Sequence, residues 1–172
     1  GAMETQDLRA LTTGDIAALS TAQVAALGTS QVAALTATQV ASMTTTDVKA
    51  LSTDQIGALG TAQIAALTTA QAAVLGTDQI GALSTAQLVA MTTADLRALS
   101  TADIAALSTS QVAALTNNQV ANLTTAQVAA LTTDQIGALG TQRSGAAIGD
   151  AVCVGDAGYE AMGQAVALEL FR

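Results

Sequence analysis

Carboxylates are the side chains of this sequence that offer the most chemistry. The chain has 172 residues, with 13 Asp and Glu and no His. Asp54, Asp78 and Asp134 each open the string Asp-Gln-Ile-Gly-Ala-Leu. A calcium site needs about six to eight converging oxygens, and these carboxylates occur singly. We therefore expect them to lie near helix N-termini, where the helix dipole stabilises negative charge, and we predict no metal site.

Catalytic groups are equally sparse. The absence of His removes the commonest general base and the commonest metal ligand. Cys153 lies between Val152 and Val154 and is predicted to be a buried small apolar residue rather than a nucleophile. Because the carboxylates are dispersed, no acid and base pair is expected. We predict no catalytic or cofactor-binding residue, no cofactor and no enzymatic activity.

Threonine recurs at fixed intervals, as at Thr21, Thr29, Thr53 and Thr125. A ladder of hydroxyls along one face would suit a repeated ligand. Hydroxyls in the first turn of a helix more commonly bond nearby backbone, and this second interpretation is favoured.

These threonines belong to an eight-residue unit that repeats seventeen times over residues 3–138 without insertion or deletion. We number the octad so that Leu123 is position 1 and Ala130 is position 8. Position 1 is Leu or Met, position 5 is Gln or Asp, and position 6 is Val, Ile or Leu except at Ala72. Position 2 is Thr, Ser or Gly except at Glu4.

Positions 2 and 5 predict one short helix per octad. Ser, Thr and Gly are tolerated helix N-caps, and Gln or Asp three residues later completes a capping box. Gly also favours the residue after a helix C-terminus, so position 2 is expected to end one helix and cap the next.

Two other conformations fit the period less well. In a continuous α-helix, eight residues overshoot two turns by roughly 80°, so the leucines would spiral around the axis. A β-solenoid would place positions 1 and 6 on opposite faces, and abundant Ala and Gln are unfavourable in strands. The helical interpretation is preferred.

Helices this short are unstable alone, so neighbouring units must stack. We therefore predict an all-α fold, a superhelical solenoid with positions 1 and 6 inside and positions 3, 4 and 5 outside. Three units combine Met at position 1, Asp at position 5 and a basic residue at position 7. They begin 40 and 48 residues apart, at Met3, Met43 and Met91. Five to six octads per superhelical turn would explain this spacing, and so would recent duplication.

The expected organisation has three parts. Residues 1–2 resemble a cloning scar, and residues 3–143 form the octapeptide-repeat solenoid. An eighteenth octad begins at Leu139 and loses the pattern after Arg143. Residues 144–172 are predicted to be a Gly-rich segment followed by a capping helix from Tyr159, with the start of another domain as the alternative.

Composition disfavours two classes of partner. The net charge is −8 with five Lys and Arg in all, which cannot line a phosphate track, so no nucleic acid is expected. No apolar run approaches the roughly 18 residues of a membrane helix, so no membrane insertion is expected. A small-molecule ligand is not expected either.

The string Leu35-Thr36-Ala37-Thr38-Gln39-Val40 resembles the opening short helix of the DNA-reading repeats of TAL effectors. The second helix, the base-reading loop and the basic residues of those repeats are missing, so their DNA function does not carry over. The array over residues 3–140 also resembles octapeptide-repeat tracts of large bacterial surface or secreted proteins. This second resemblance implies a bacterial origin, an extracellular or cell-surface location, and a stalk or scaffold role.

We accordingly expect a structural spacer or scaffold whose partners are proteins, either flanking domains or other copies of the chain. The alternative is a protein-binding module that holds an extended partner along a repeated Thr and Gln surface.

Overall fold

The computed structural model describes the backbone of residues 4–147 and the side chains of residues 4–140. The chain divides into two compact units, Gly1–Leu139 and Gly140–Arg172. The described part is helical throughout, without strands, as the all-α prediction requires. Its helices are α1 Thr5–Ala10, α2 Thr13–Ala17, α3 Thr21–Ala25, α4 Thr29–Ala34, α5 Ala37–Ser42, α6 Thr45–Ala50, α7 Thr53–Gly57, α8 Thr61–Ala65, α9 Thr69–Ala72, α10 Thr77–Gly81, α11 Thr85–Ala90, α12 Thr93–Ala98, α13 Thr101–Ala106, α14 Thr109–Ala114, α15 Asn117–Ala121, α16 Thr125–Ala129 and α17 Thr133–Ala147.

Each helix begins at position 3 of its octad, with position 2 as the N-cap. In α16, the backbone N–H of Gln127 donates to Thr124 Oγ1 at 3.2 Å, and the Thr124 N–H donates to Gln127 Oε1 at 2.9 Å. The two bonds satisfy backbone donors that the first turn of a helix leaves free. The capping box predicted from positions 2 and 5 is confirmed.

Glycine at position 2 serves as an N-cap only. Gly28 has φ −71° and Gly60 has φ −74°, and no described glycine has positive φ. The preceding helices have Ala26 and Ala58 as their C-caps, two residues before the glycines. The prediction that position 2 also ends the preceding helix is therefore wrong for these glycines. Gly is tolerated because the backbone half of the box survives: the Gly28 N–H still donates to Gln31 Oε1 at 2.7 Å.

The position-1 residue ends each helical segment and redirects the chain. The Leu35 N–H donates to the Val32 carbonyl at 3.2 Å, a tight i to i−3 bond. Leu35 itself is extended, with φ −58° and ψ 144°. Thr36 is the next N-cap, so one extended residue and one cap separate α4 from α5. Where a helix ends earlier, as α2 does at Ala17, one or two further residues precede the extended one. Repeating this unit turns the chain into a superhelix.

Helices three octads apart pack against each other, as α1 does with α4, α8 with α11 and α9 with α12. Side-chain bonds between successive turns join residues 28 and 31 apart, as from Gln39 to Leu11 and Leu8. One superhelical turn therefore takes between three and four octads. The interpretation of five to six octads per turn is wrong, so turn length does not explain the spacing of Met3, Met43 and Met91.

Positions 6 and 1 form the core, as predicted. Position 6 is fully enclosed in the middle of the array, with Ile56 0% and Ile64 1% exposed. Position 1 lies slightly nearer the surface, and Leu67 is 5% exposed. Positions 3 and 4 are almost everywhere exposed. Together the buried residues make one continuous cluster along the array.

Position 5 departs from the prediction that it faces solvent. From Gln39 onward its side chains are buried, for example Gln71 at 1% and Asp95 at 2% exposed. The capping box explains only half of this placement, because it engages one end of the amide. The other end points into the previous turn of the superhelix.

The last described helix does not follow the octad. α17 runs for 15 residues and passes Gly140, which stands at position 2 of the eighteenth unit. In that unit position 5 is neither Gln nor Asp, so the sequence offers no capping box. Without a capping box, nothing favours an interruption of the helix there.

The packing predicts that substitutions at Leu67 and Ala70 have very different effects on the free energy of unfolding. Leu67→Ala removes a buried core side chain and should lower the free energy of unfolding by about 2–5 kcal/mol. Ala70 is exposed, so Ala70→Ser should change it by less than about 0.5 kcal/mol. Urea titration followed by circular dichroism measures both. Equal losses would mean that the inside and the outside of the octad are misassigned.

Candidate functional site: a buried glutamine ladder

The position-5 glutamines make the most distinctive polar contacts of the described chain. Gln71 Oε1 accepts the backbone N–H of Thr68 at 2.8 Å, which caps its own helix. Its Nε2 donates to the carbonyls of Val40 at 2.9 Å and Met43 at 2.8 Å, in the previous superhelical turn. One side chain therefore caps one helix and bridges two turns.

Among the described contacts, ten glutamines make this bridge, and we call them the glutamine ladder. In each, Nε2 lies 2.6–3.0 Å from the carbonyl oxygen 28 residues earlier and 2.8–3.3 Å from the one 31 residues earlier. The ladder consists of Gln39, Gln55, Gln63, Gln71, Gln79, Gln87, Gln111, Gln119, Gln127 and Gln135.

The ladder solves a problem that very short helices create. The last four carbonyls of a helix have no hydrogen-bond partner within the helix. In a helix of about five residues these are nearly all of its carbonyls. An unsatisfied buried carbonyl costs about 1–3 kcal/mol. Here the carbonyls of positions 6 and 1 receive the two amide hydrogens of a glutamine from the next turn. The position-6 carbonyl also accepts a backbone N–H, as from Met43 to Val40 at 3.2 Å. Each bridge thus joins two turns and gives the position-1 carbonyl a partner that it would otherwise lack.

Three buried position-5 residues are aspartates: Asp47, Asp95 and Asp103, each 2–4% exposed. They keep the capping role, since the Ser100 hydroxyl donates to Asp103 Oδ2 at 2.6 Å. An ionised carboxylate has no hydrogen to donate, so it cannot bridge to carbonyls. Asp95 makes a different contact, accepting the Thr69 hydroxyl at 3.0 Å.

Position 5 is exposed in the first three octads, at Asp7, Asp15 and Gln23. Asp15 accepts the Thr12 hydroxyl at 2.7 Å and the Thr12 N–H at 2.9 Å. The hydroxyl bond first, and then the backbone bond, hold the pKa of the Asp15 carboxyl below its ordinary value. The carboxylate is therefore the capping form.

The structure does not bring the carboxylates considered in the sequence together. Asp54, Asp78 and Asp134 are exposed in the first turns of α7, α10 and α17, the location that the dipole argument predicts. Among the described residues, no three carboxylate or thiol side chains are grouped so that they could hold a metal ion. Cys153 and the predicted capping helix from Tyr159 lie outside the described residues.

The position-3 threonines Thr21, Thr29, Thr53 and Thr125 are exposed. Within residues 4–140 their hydroxyls form no hydrogen bond, so the prediction that they bond local backbone is wrong. The helix N-termini are already satisfied by the position-2 and position-5 side chains. These hydroxyls therefore face solvent.

The described ladder amides have no free hydrogen-bonding group. The ladder amides are neutral and buried, and their two hydrogens and their oxygen are already bonded. A repeat array of short helices of this kind is typical of non-catalytic structural domains. No described helix has the length and apolar character needed to cross a bilayer.

Comparison with known proteins identifies the family of the repeat. The ALTTAQ repeat matches seven overlapping segments, at residues 1–37, 32–61, 40–77, 48–85, 61–93, 88–125 and 118–141. The string Ala-Leu-Thr-Thr-Ala-Gln itself stands at residues 66–71, and its Gln71 belongs to the ladder. No curated protein and no solved structure matches the chain. The chain belongs to the ALTTAQ repeat family.

Proposed function

We propose that this repeat domain acts as a spacer, stalk or scaffold that holds flanking parts of a larger protein at a set distance. The observation that carries the proposal is the glutamine ladder, because its buried bridges tie each superhelical turn to the next along the array. Such an array fixes the distance between its two ends without needing a ligand.

The exposed surface supports the same role. Position 4 varies freely, with Gly14, Ser30, Asp54 and Asn118 among its residues, all of them exposed. A groove that recognises an extended partner needs a fixed pattern of side chains at such positions. A spacer tolerates this variation, since only the buried positions must be kept.

The alternative function is the binding of an extended protein along a surface of Thr and Gln, and the ladder glutamines cannot contribute to such a surface. The ladder glutamines are buried, so a partner would meet the exposed position-3 threonines, including Thr53 and Thr125. That alternative is therefore narrowed to a threonine surface. The bacterial surface or secreted setting follows from the resemblance of the octapeptide tract and stays a prediction.

If the domain is a spacer, the distance between two points on the array should increase with the number of octads between them. Spin labels on Ser30→Cys and Ala126→Cys, in a Cys153→Ser background, report the distance between two exposed positions of the array. A second protein carries a copy of residues 51–82 inserted after Ala82, which adds four octads. We expect one narrow distance in each protein, longer by about 8–10 Å in the second, the spacing of packed helices.

Pulsed electron paramagnetic resonance measures these distances. A matched control inserts 32 residues of a Gly and Ser linker at the same place and should broaden the distribution. A broad distribution in the parent, or no lengthening with the added octads, would contradict the spacer function.

A further inference from the structure

The glutamine ladder is interrupted twice in succession at one place only among the described bridging positions. From Gln39 to Gln135, position 5 is Gln except at Asp47, Asp95 and Asp103. Asp47 stands alone between intact bridges. Asp95 and Asp103 belong to consecutive octads, so two neighbouring bridges are missing within one superhelical turn.

The missing bridges leave two pairs of carbonyls without an amide donor, 31 and 28 residues before each aspartate. For Asp95 they belong to Ile64 and Leu67, and for Asp103 to Ala72 and Leu75. The position-6 carbonyls still accept one backbone bond each, such as Leu67 N–H to Ile64 O at 3.2 Å. The carbonyls of Leu67 and Leu75 accept no hydrogen bond from any described residue.

Replacement contacts at this place are unequal. Thr69 donates its hydroxyl to Asp95 at 3.0 Å and so links α9 to α12. Asp103 has no such bond: its contacts are with Ser100, in its own octad. The substitute therefore covers one of the two lost bridges, through one exposed hydroxyl.

The core is thinner at the same place. Ala72 stands at position 6, fully buried, where the flanking octads carry Ile64 and Ile80. Its helix α9 spans four residues, the shortest of the described helices. A smaller side chain buries less apolar area and so contributes less to stability. A smaller buried side chain and missing bridges thus coincide.

We propose that the array contains a built-in opening point at the seam where α9 packs against α12. At this seam the carbonyls that follow α8 and α9 receive no bridge from position 5 of α12 and α13. Local opening follows the regions with the fewest buried contacts and bonds. At this seam the two turns separate before the rest of the array, and the superhelix extends there while both flanking blocks stay folded. The opening itself does not depend on the proposed function. Only its use, as the place where a spacer extends under load, rests on that function.

Hydrogen exchange measured by mass spectrometry tests the opening point in the full chain. Peptides covering residues 64–75 and 95–107 report the seam. Peptides covering residues 48–59 and 79–91 report a matched seam, where Gln79 and Gln87 make both bridges. We expect exchange about tenfold faster or more at the opening point, from two lost bridges and a thinner core.

The double variant Asp95→Gln and Asp103→Gln restores the amide donors and should slow exchange at the opening point by about tenfold. The control variant Asp54→Gln and Asp78→Gln changes two exposed carboxylates in the same way and should leave exchange unaltered. Equal exchange at the two seams of the unmodified protein would overturn the proposal, whether or not the double variant folds. So would unchanged exchange in a folded double variant. Neither result bears on the spin-label distances, which test the spacer function separately.

Discussion

Gln71→Glu is expected to lower the free energy of unfolding by about 3–5 kcal/mol, because it buries a charge and leaves the Met43 carbonyl without a partner. Glutamate keeps the oxygen that accepts the Thr68 N–H. It removes the two hydrogens that Gln71 gives to Val40 and Met43. The substitution therefore separates the bridging role of the ladder from its capping role, and urea titration measures the loss.

Gln23→Glu provides the matched control. Gln23 caps its helix through Ser20 with the same geometry, but it is exposed and precedes the first bridge of the ladder. We expect a change of less than about 0.5 kcal/mol. If the two substitutions cost the same, the bridges contribute nothing and the position-5 residues act as caps alone.

Removal of half an octad should destabilise the array more than removal of a whole one. Deleting residues 51–58 keeps the register: Gln63 then meets the carbonyls of Val24 and Leu27, which Gln55 bonds in the parent. Deleting residues 51–54 shifts the array by four residues, so four glutamines face the wrong part of the previous turn: Gln55, Gln63, Gln71 and Gln79. Four misplaced bridges at about 1–3 kcal/mol each make this loss the larger.

Thermal unfolding followed by circular dichroism compares the two deletions with the parent. The whole-octad deletion should reduce stability by one step, as nearest-neighbour stabilisation requires. A half-octad deletion that melts no lower than the whole-octad deletion would show that the octad is a feature of the sequence and not of the structure.

The sequence predicts the helices and their caps because these depend on neighbouring residues. Thr124 and Gln127 are three apart, and their reciprocal bonds follow from residue type and spacing alone. The assignment of Leu67 and Ile64 to the core follows from the same local period.

The length of the superhelical turn could not be predicted in this way. It depends on small rotations at extended residues such as Leu35, repeated in every octad. Because the octads are nearly identical, the sequence carries no mark of which ones come into contact. The spacing of Met3, Met43 and Met91 looked like such a mark and is unrelated to the turn.

The burial of position 5 did leave a signal in the sequence. A capping box accepts Glu as readily as Gln, and the helix dipole favours the charged residue. Glu nevertheless occurs at none of the seventeen position-5 sites, although Gln occurs at twelve. The preference for Gln over Glu, with Asp at the remaining five sites, indicates that most position-5 side chains also donate. A side chain that donates to backbone carbonyls must point into the fold.

The 31-residue reach of the ladder also sets how this chain can fold while it is being synthesised. Gln39 reaches back to Leu8 and Leu11, four and three octads earlier. Once Gln39 has left the ribosome its bridge can close, and each later ladder glutamine likewise bonds residues already present. No contact has to wait for a distant part of the chain, so folding can keep pace with elongation. An array of this design can be lengthened by duplication without making its folding slower.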